Sequence, residues 1–303
     1  MTERQKALQH SMDRQKSGAS ALAQVQKVQQ VTHVTSRDNP LLKDLRKLSQ
    51  ESSAYRKQTR FWLEGDHLCC AALQRGLQPD FAVFSESFWP IASVEYTQLA
   101  TKIVVISDPL FQGISGLESP SRMGFVMDLP APAGLQPQSH TVILDRLQDA
   151  GNVGSILRSA AAFGVQQVIA LKGTAALWSP KVLRAGMGAH FGLHLVEGLE
   201  VADLGRLTVP IIVTSSHVGN LLQNQRLPAP CAWALGHEGQ GVCAALLARA
   251  TLSVRIGQPG GEESLNVAAA AAICLHASAV SADATAQRFL DGPPLTKFSP
   301  SLL

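Results

Sequence analysis

The second half of the chain alternates short apolar runs with stretches whose apolar residues recur at helical spacing. Residues 141–144, 168–171, 193–196, 210–214, 233–235 and 252–256 form the runs, each of a buried strand's length. After the first run, Val153, Ile156, Leu157, Ala160 and Ala161 make an i, i+3, i+4 stripe, predicting a helix closed by Gly164. Ser179-Pro180 is a cap and first-turn pair for a helix running to Gly188. A last helix is predicted from Ser264 through the run Ala268 to Ala272. Strand alternating with helix predicts an α/β domain with a parallel sheet covered on both faces.

The first half is less regular. Residues 1–30 are rich in Gln, Ala, Lys and Ser with no apolar period, which predicts a flexible tail. A strand at Val34, a turn at Asn39-Pro40 and one helix through Leu45, Leu48 and Tyr55 follow. Next come a strand from Phe61 into Glu64-Gly65 and a helix from Asp66 to Arg75, stopped by Gly76. Strands are predicted at 81–84, 103–106 and 124–127. Pro130, Pro132, Gly134 and Pro137 then crowd together as in a linker. The expected division is a tail 1–30, a domain 31–129, a linker 130–139, a domain 140–278 and a tail 279–303.

With 303 residues, 46% of them hydrophobic, the chain can bury the cores of two domains. Its five cysteines are odd in number and show no CxxC pair, so free thiols in a reducing cytoplasm are expected, and no metal. No apolar stretch reaches the ~20 residues of a membrane span, so no membrane association is expected. Charge is uneven: residues 1–60 hold 12 Lys and Arg against 5 Asp and Glu, the remainder 14 against 18. A basic front before a mildly acidic body fits either a polyanionic partner or a solvated basic tail.

Three segments place glycines and polar residues just where apolar strands end, the usual ligand-binding edge of an open α/β sheet. They are Asn152-Val-Gly154-Ser-Ile-Leu-Arg158, Gly236-His-Glu238-Gly-Gln-Gly241 and Gly260-Gly-Glu-Glu-Ser264-Leu-Asn266. In the first, Asn152 can cap its helix, and Arg158 on the polar face suits a phosphate or carboxylate. Asp145, Arg146 and Asp149 form a polar cluster just before it. In the second, glycines let the backbone approach a ligand, but neither a Walker loop nor GxGxxG is present, which disfavours a nucleotide-binding dehydrogenase. Glu238 ranks above His237 as the functional side chain. In the third, Ser264 is the expected cap with Asn266 inside the first turn. Glycine-rich loops with few charges suit a flat, uncharged group such as adenine.

The order N-x-G-x-x-x-R, G-x-E-G-x-G and G-x-x-x-S-L-N resembles motifs 1, 2 and 3 of the SpoU (TrmH) family of RNA ribose 2′-O-methyltransferases. Phe163-Gly164 and the block Ser179-Pro-Lys-x-x-Arg184-Ala185-x-x-Gly188-Ala189 fit between the first two motifs. Ser36-x-x-Asn39-Pro40-x-x-Lys43 and Glu64-Gly65 are similar to the L30e-like substrate-binding domain that precedes many members. The resemblance implies a SPOUT-type parallel sheet with a carboxyl-terminal trefoil knot, a homodimer and S-adenosyl-L-methionine (AdoMet) as cofactor. It also implies RNA as substrate, ribosomal RNA by the type of front domain. Carried over by position, Thr214, Ser215, Gly236, Ile256 and Leu265 would line the AdoMet site, and Asn152, Arg158, Glu238, Ser264 and Asn266 would form the catalytic set.

Guanidinium stays protonated in proteins, so Arg158 is expected to grip an RNA phosphate rather than act as base. Asn152 and Glu238 would hold Arg158 and the loops, and Ser264 and Asn266 would fix the last loop and helix. The chain departs from the family at Ile256-Gly257-Gln258, where Ile-Pro-Met is usual, and at Asp149-Ala150-Gly151 and Arg184-Ala185-Gly186. The competing reading is a catalytically silent RNA-binding ribosome-assembly factor on the same fold. The alanine run 268–272 puts small residues on every side of its helix, as a homodimer contact would allow.

Overall fold

A computed structural model describes residues 30–92, 96, 102–215, 219–260 and 264–283. Most of the expected tails, 1–29 and 284–303, lie outside the described residues.

Strands β1 (Gln30–Val34), β2 (Arg60–Glu64), β3 (Phe81–Ser85), β4 (Lys102–Ile106) and β5 (Met123–Asp128) form one five-stranded sheet in the order β1-β4-β3-β5-β2. It is mixed: β1, β4 and β3 run parallel, and β5 is antiparallel to β3 and β2. The helix expected to reach Tyr55 is instead two, α1 (Pro40–Gln50) and α2 (Ala54–Gln58). Asn39 caps α1 by accepting from the Leu41 amide at 2.9 Å. The break falls at Glu51-Ser52-Ser53, where serines favour caps over helix interior. Leu45, Leu48 and Tyr55 are all buried, so the apolar period runs across a break it cannot reveal. Helix α3 (Asp66–Gln74) stands where expected; α4 (Asp108–Ile114), with Pro109 in its first turn, was missed.

Strands β6 (Thr141–Asp145), β7 (Gln167–Leu171), β8 (His194–Leu199), β9 (Ile211–Thr214), β10 (Asn220–Leu221), β11 (Ala232–Gly236) and β12 (Leu252–Arg255) form a second sheet. Its order is β10-β12-β9-β11-β6-β7-β8, and every pairing is parallel, as the sequence pattern predicts. The two-residue β10 is too short to leave a pattern. Because both faces are covered, side chains on one strand serve two cores. Val142 and Leu144 pack with helices α5 (Ala150–Ala162) and α8 (Val267–Asp283). Ile143 points the other way, toward the 3-10 turn Val201–Arg206 and α7 (Ala244–Leu247).

Helix α6 (Pro180–Gly186) is capped by Ser179, whose hydroxyl accepts from the Val182 amide, and it crosses α5 closely. A Cβ on Gly154 would stand 2.4 Å from Ala185 Cβ and 2.8 Å from Val182 O, so the glycine of the first segment is fixed by helix packing. The two sheets meet at this end of the molecule. Leu183 of α6 enters the core of the first sheet, Phe61 packs on Trp178 with centroids 4.7 Å apart, and Tyr55 donates to Glu197 on β8. Arg56 adds an ion pair to Glu197 at 3.3 Å.

Two helix starts differ from expectation. Asp149, not Asn152, caps α5, accepting from the Asn152 amide at 2.7 Å. Asn266, not Ser264, caps α8, its Oδ1 accepting from the amides of Ala268 at 2.9 Å and Ala269 at 3.3 Å. The alanine run is also sided: Ala271 is fully buried against α5, while Ala269, Ile273, His276 and Val280 form an exposed stripe.

Candidate active site

The carboxyl ends of β9, β11 and β12 and the start of α8 enclose a cavity of about 280 Å³. All five residues expected to hold the cofactor, Thr214, Ser215, Gly236, Ile256 and Leu265, line it. So do Glu238, Ser264 and Asn266 from the expected catalytic set. A larger cavity of about 790 Å³ lies where the two sheets' domains meet and contains none of these residues.

The wall is built by a sharp return of the chain after β11. His237 O accepts from Gly241 N at 2.8 Å, and Gly239 N donates to His237 Nδ1 at 3.0 Å. The returning strand passes so close that a Cβ on Gly236 would lie 2.1 Å from Gly241 C and from Val242 N. Only a bare Cα fits at that point.

Glu238 ties this loop to the α5 start. Its carboxylate accepts from Asn152 Nδ2 at 3.2 Å, from Asp149 N at 3.4 Å and from Gln148 N at 3.5 Å. Asn152 Oδ1 in turn accepts from Asn266 Nδ2 at 3.0 Å. One residue from each of the three segments therefore joins a single chain of hydrogen bonds. Partial burial works against the Glu238 carboxylate, but these donors and its own backbone amide outweigh it and hold its pKa below the ordinary value. Glu238 is thus an ionised acceptor whose lone pairs are already engaged, which suits a tie better than a proton acceptor.

Arg158 sits apart from that chain. It is exposed on α5 and makes no hydrogen bond or ion pair among the described residues, so Asn152 and Glu238 bind each other rather than Arg158. Ser264 is exposed at the cavity rim.

Sequence reasoning passed over Gln258, Val267 and Ala270 as lining residues, and ranked His237, which also lines the cavity, below Glu238. Gln258 had a signal, since it stands where the resembling family has methionine. Among the described residues its buried Oε1 has no hydrogen-bond partner, a costly state that a donor on a bound molecule would relieve. Ile256, Leu265, Val267 and Ala270 give the same cavity an apolar side. A flat heteroaromatic group carrying an amine fits that acceptor and apolar side, so the residues present suit an adenosyl cofactor.

Comparison with known proteins agrees with this geometry. Residues 139–276 match the SpoU rRNA Methylase family, and residues 39–123 match the MRM3-like substrate binding domain. A Bacillus subtilis protein, 23S rRNA (guanosine(2553)-2′-O)-methyltransferase RlmP, is 31% identical over 252 residues, spanning 80% of this chain and 97% of that one. The chain belongs to the SpoU rRNA methylase family. An AdoMet-bound rRNA methyltransferase from Sinorhizobium meliloti superposes with a TM-score of 0.71 at 25% identity, covering 82% of this chain and 97% of that one. A solved RNA 2′-O ribose methyltransferase gives 0.69 at 28% identity, covering 83% and 99%.

Proposed function

We propose that this protein transfers the methyl group of AdoMet to a ribose 2′-hydroxyl of ribosomal RNA. The observation that carries the reading is the hydrogen-bonded chain Glu238–Asn152–Asn266, which joins all three motifs beside a cavity lined by every expected cofactor residue. Similarity to an rRNA 2′-O-methyltransferase over 97% of that protein's length supports it.

AdoMet would supply an electrophilic methyl group on a sulfonium. Thr214, Ser215, Gly236, Ile256 and Leu265 would hold it, with Gln258 accepting from an amine. Glu238, Asn152 and Asn266 keep the loops registered, and Ser264 fixes the rim of the last one. Arg158, uncommitted and exposed, would grip a phosphate and orient the 2′-oxygen, stabilising the charge that grows there as its proton passes to water and the methyl leaves the sulfonium.

The residue groups 31–129 and 140–278 act as substrate-binding and catalytic domains, joined by 130–139. A trefoil knot at the carboxyl end, as the family resemblance implies, is compatible with the packing of β10 and its following turn against β12, Gly257 and α8. Ala269, Ile273 and Val280, exposed along one stripe of α8, support a homodimer through that helix, because apolar residues facing water ask for a partner. All five cysteines are free, as suits the cytoplasm. Among the described residues no helix is long and apolar enough to cross a membrane.

The test is calorimetry with AdoMet followed by methyl transfer to rRNA by wild type, Arg158→Ala and Arg158→Lys. Both variants should bind AdoMet as wild type does and lose transfer, because a point charge does not reproduce the guanidinium fork. Wild type failing to bind AdoMet would leave the silent assembly factor. A lysine variant keeping most of the rate would remove the role given to Arg158.

A further inference from the structure

Among the polar residues before α5, Arg146 has the least ordinary backbone. It follows β6 directly with φ of +59°, in the left-handed region that a side chain with a Cβ enters only at a cost. Such a conformation persists when surrounding contacts over-determine it. Here they do. The Arg146 amide donates to Thr174 Oγ1 at 3.1 Å, and Thr174 donates to Leu144 O at 2.9 Å. The guanidinium folds back on Asp145, with Nε 2.9 Å from Oδ1 and Nη2 3.3 Å from Oδ2, a two-pronged pair. Its remaining donors cross to the next strand's loop: Nη1 reaches Gln240 Oε1 at 3.0 Å and Nη2 reaches Gly241 O at 3.4 Å.

Asp145 is the second half of the device. Its side chain is 2% exposed, it lies in register with Gly236 of β11, and Oδ2 accepts from the Cys243 amide at 2.6 Å. Burial disfavours the carboxylate, but Arg146 and the Cys243 amide outweigh burial and keep its pKa below the ordinary value. The return strand 240–243 is therefore held at three points, Gln240, Gly241 and Cys243, by two adjacent residues at the end of β6. That strand forms the closed side of the loop whose Gly236, His237, Glu238 and Gly241 line the cavity.

We infer that Arg146 is a positioning residue, which with Asp145 clamps the 236–243 loop shut and so sets the shape of the cofactor wall. It does not line the cavity itself, reaching it only through Gly241, and takes no part in methyl transfer. The inference rests on the cofactor reading for its effect on binding, but not for its effect on the loop.

Arg146→Gly separates the two. Glycine adopts the same backbone without the side-chain penalty, but it leaves Asp145 buried without its cation, so some loss of thermal midpoint is expected and the decision rests on where exchange quickens. Hydrogen exchange of the 236–243 amides should quicken about tenfold, with exchange elsewhere unchanged. AdoMet dissociation constants should rise about tenfold by calorimetry. Arg146→Lys, which can still reach one acceptor, should fall between. Adding Gln240→Ala to Arg146→Gly should cost nothing further, because their contact is already gone. Unchanged exchange across 236–243, exchange quickened equally throughout the chain, or wild-type AdoMet affinity in the glycine variant would each overturn the clamp. Quickened exchange in the glycine variant, with wild type binding no AdoMet, would instead overturn the cofactor reading.

Discussion

Replacing Gly236 by alanine should cripple cofactor binding while sparing the fold. The new Cβ would stand 2.1 Å from Gly241 C and Val242 N, where ordinary contact begins at 3.4 Å. Both obstacles are backbone, so neither can rotate away, and the return strand must retreat by the difference, about 1.3 Å. The Cys243 amide, now 2.6 Å from Asp145, would then stand about 3.9 Å away, beyond hydrogen-bonding reach. A hydrogen bond to a charged group contributes about 1.5–3 kcal/mol, and here its loss falls on loop closure rather than on the sheet beneath. If AdoMet needs the closed loop, its dissociation constant should rise about 10- to 150-fold. Titration calorimetry measures this directly, with thermal melts as the control for folding. Gly239→Ala is the matched comparison, since its Cβ would meet only the His237 ring at 3.8 Å and should bind normally. An alanine at 236 that binds AdoMet with wild-type affinity would refute the reasoning.

Three further outcomes follow from side chains elsewhere. His190 is buried, donates Nε2–H to Leu177 O at 2.8 Å, and burial lowers its pKa from 6.5 to about 4. The unfolded chain therefore takes up a proton below pH 6.5 that the native state refuses, and stability should decline by roughly 3 kcal/mol between pH 6.5 and 4; urea midpoints of wild type and His190→Gln across that range should diverge, and parallel curves would contradict it. Gln258→Leu removes an orphaned acceptor, so the free protein should gain about 1 kcal/mol while AdoMet affinity falls about tenfold, read by melts with and without cofactor; unchanged affinity would show that Gln258 meets no ligand donor. Ile273→Glu on the exposed face of α8 should convert a dimer to monomer in sedimentation with little change in melting, whereas Ala271→Glu should unfold the domain, because Ala271 is buried within its own chain.

The strands of the second sheet were legible because a strand covered on both faces leaves an unbroken apolar run. Helix ends were less so. Asp149 and Asn152 both have capping chemistry three residues apart, as do Ser264 and Asn266 two apart, and composition cannot choose between such pairs. In each case the residue left over, Asn152 or Ser264, faces the site instead. The lining residues from three separate loops could be assigned by family resemblance, since each loop's place is set by strand order rather than by its own sequence. Arg146 was visible only as part of a polar cluster. Nothing in the sequence marks an arginine as left-handed, and its partners, Gln240 and Gly241, lie some ninety residues away.

The position of the joint between the domains has a consequence of scale. The first domain leans on β8 and α6, while the cavity opens at β11, β9 and β12, toward the other end of the sheet. Four strand spacings separate β8 from β9 in the sheet order, about 19 Å at the usual interval. A single nucleotide cannot reach from one to the other. An RNA that engages the front domain and the cavity of the same chain must bridge that gap with several nucleotides. For such an RNA, the spacing between the two contacts would count as much as the sequence at either one.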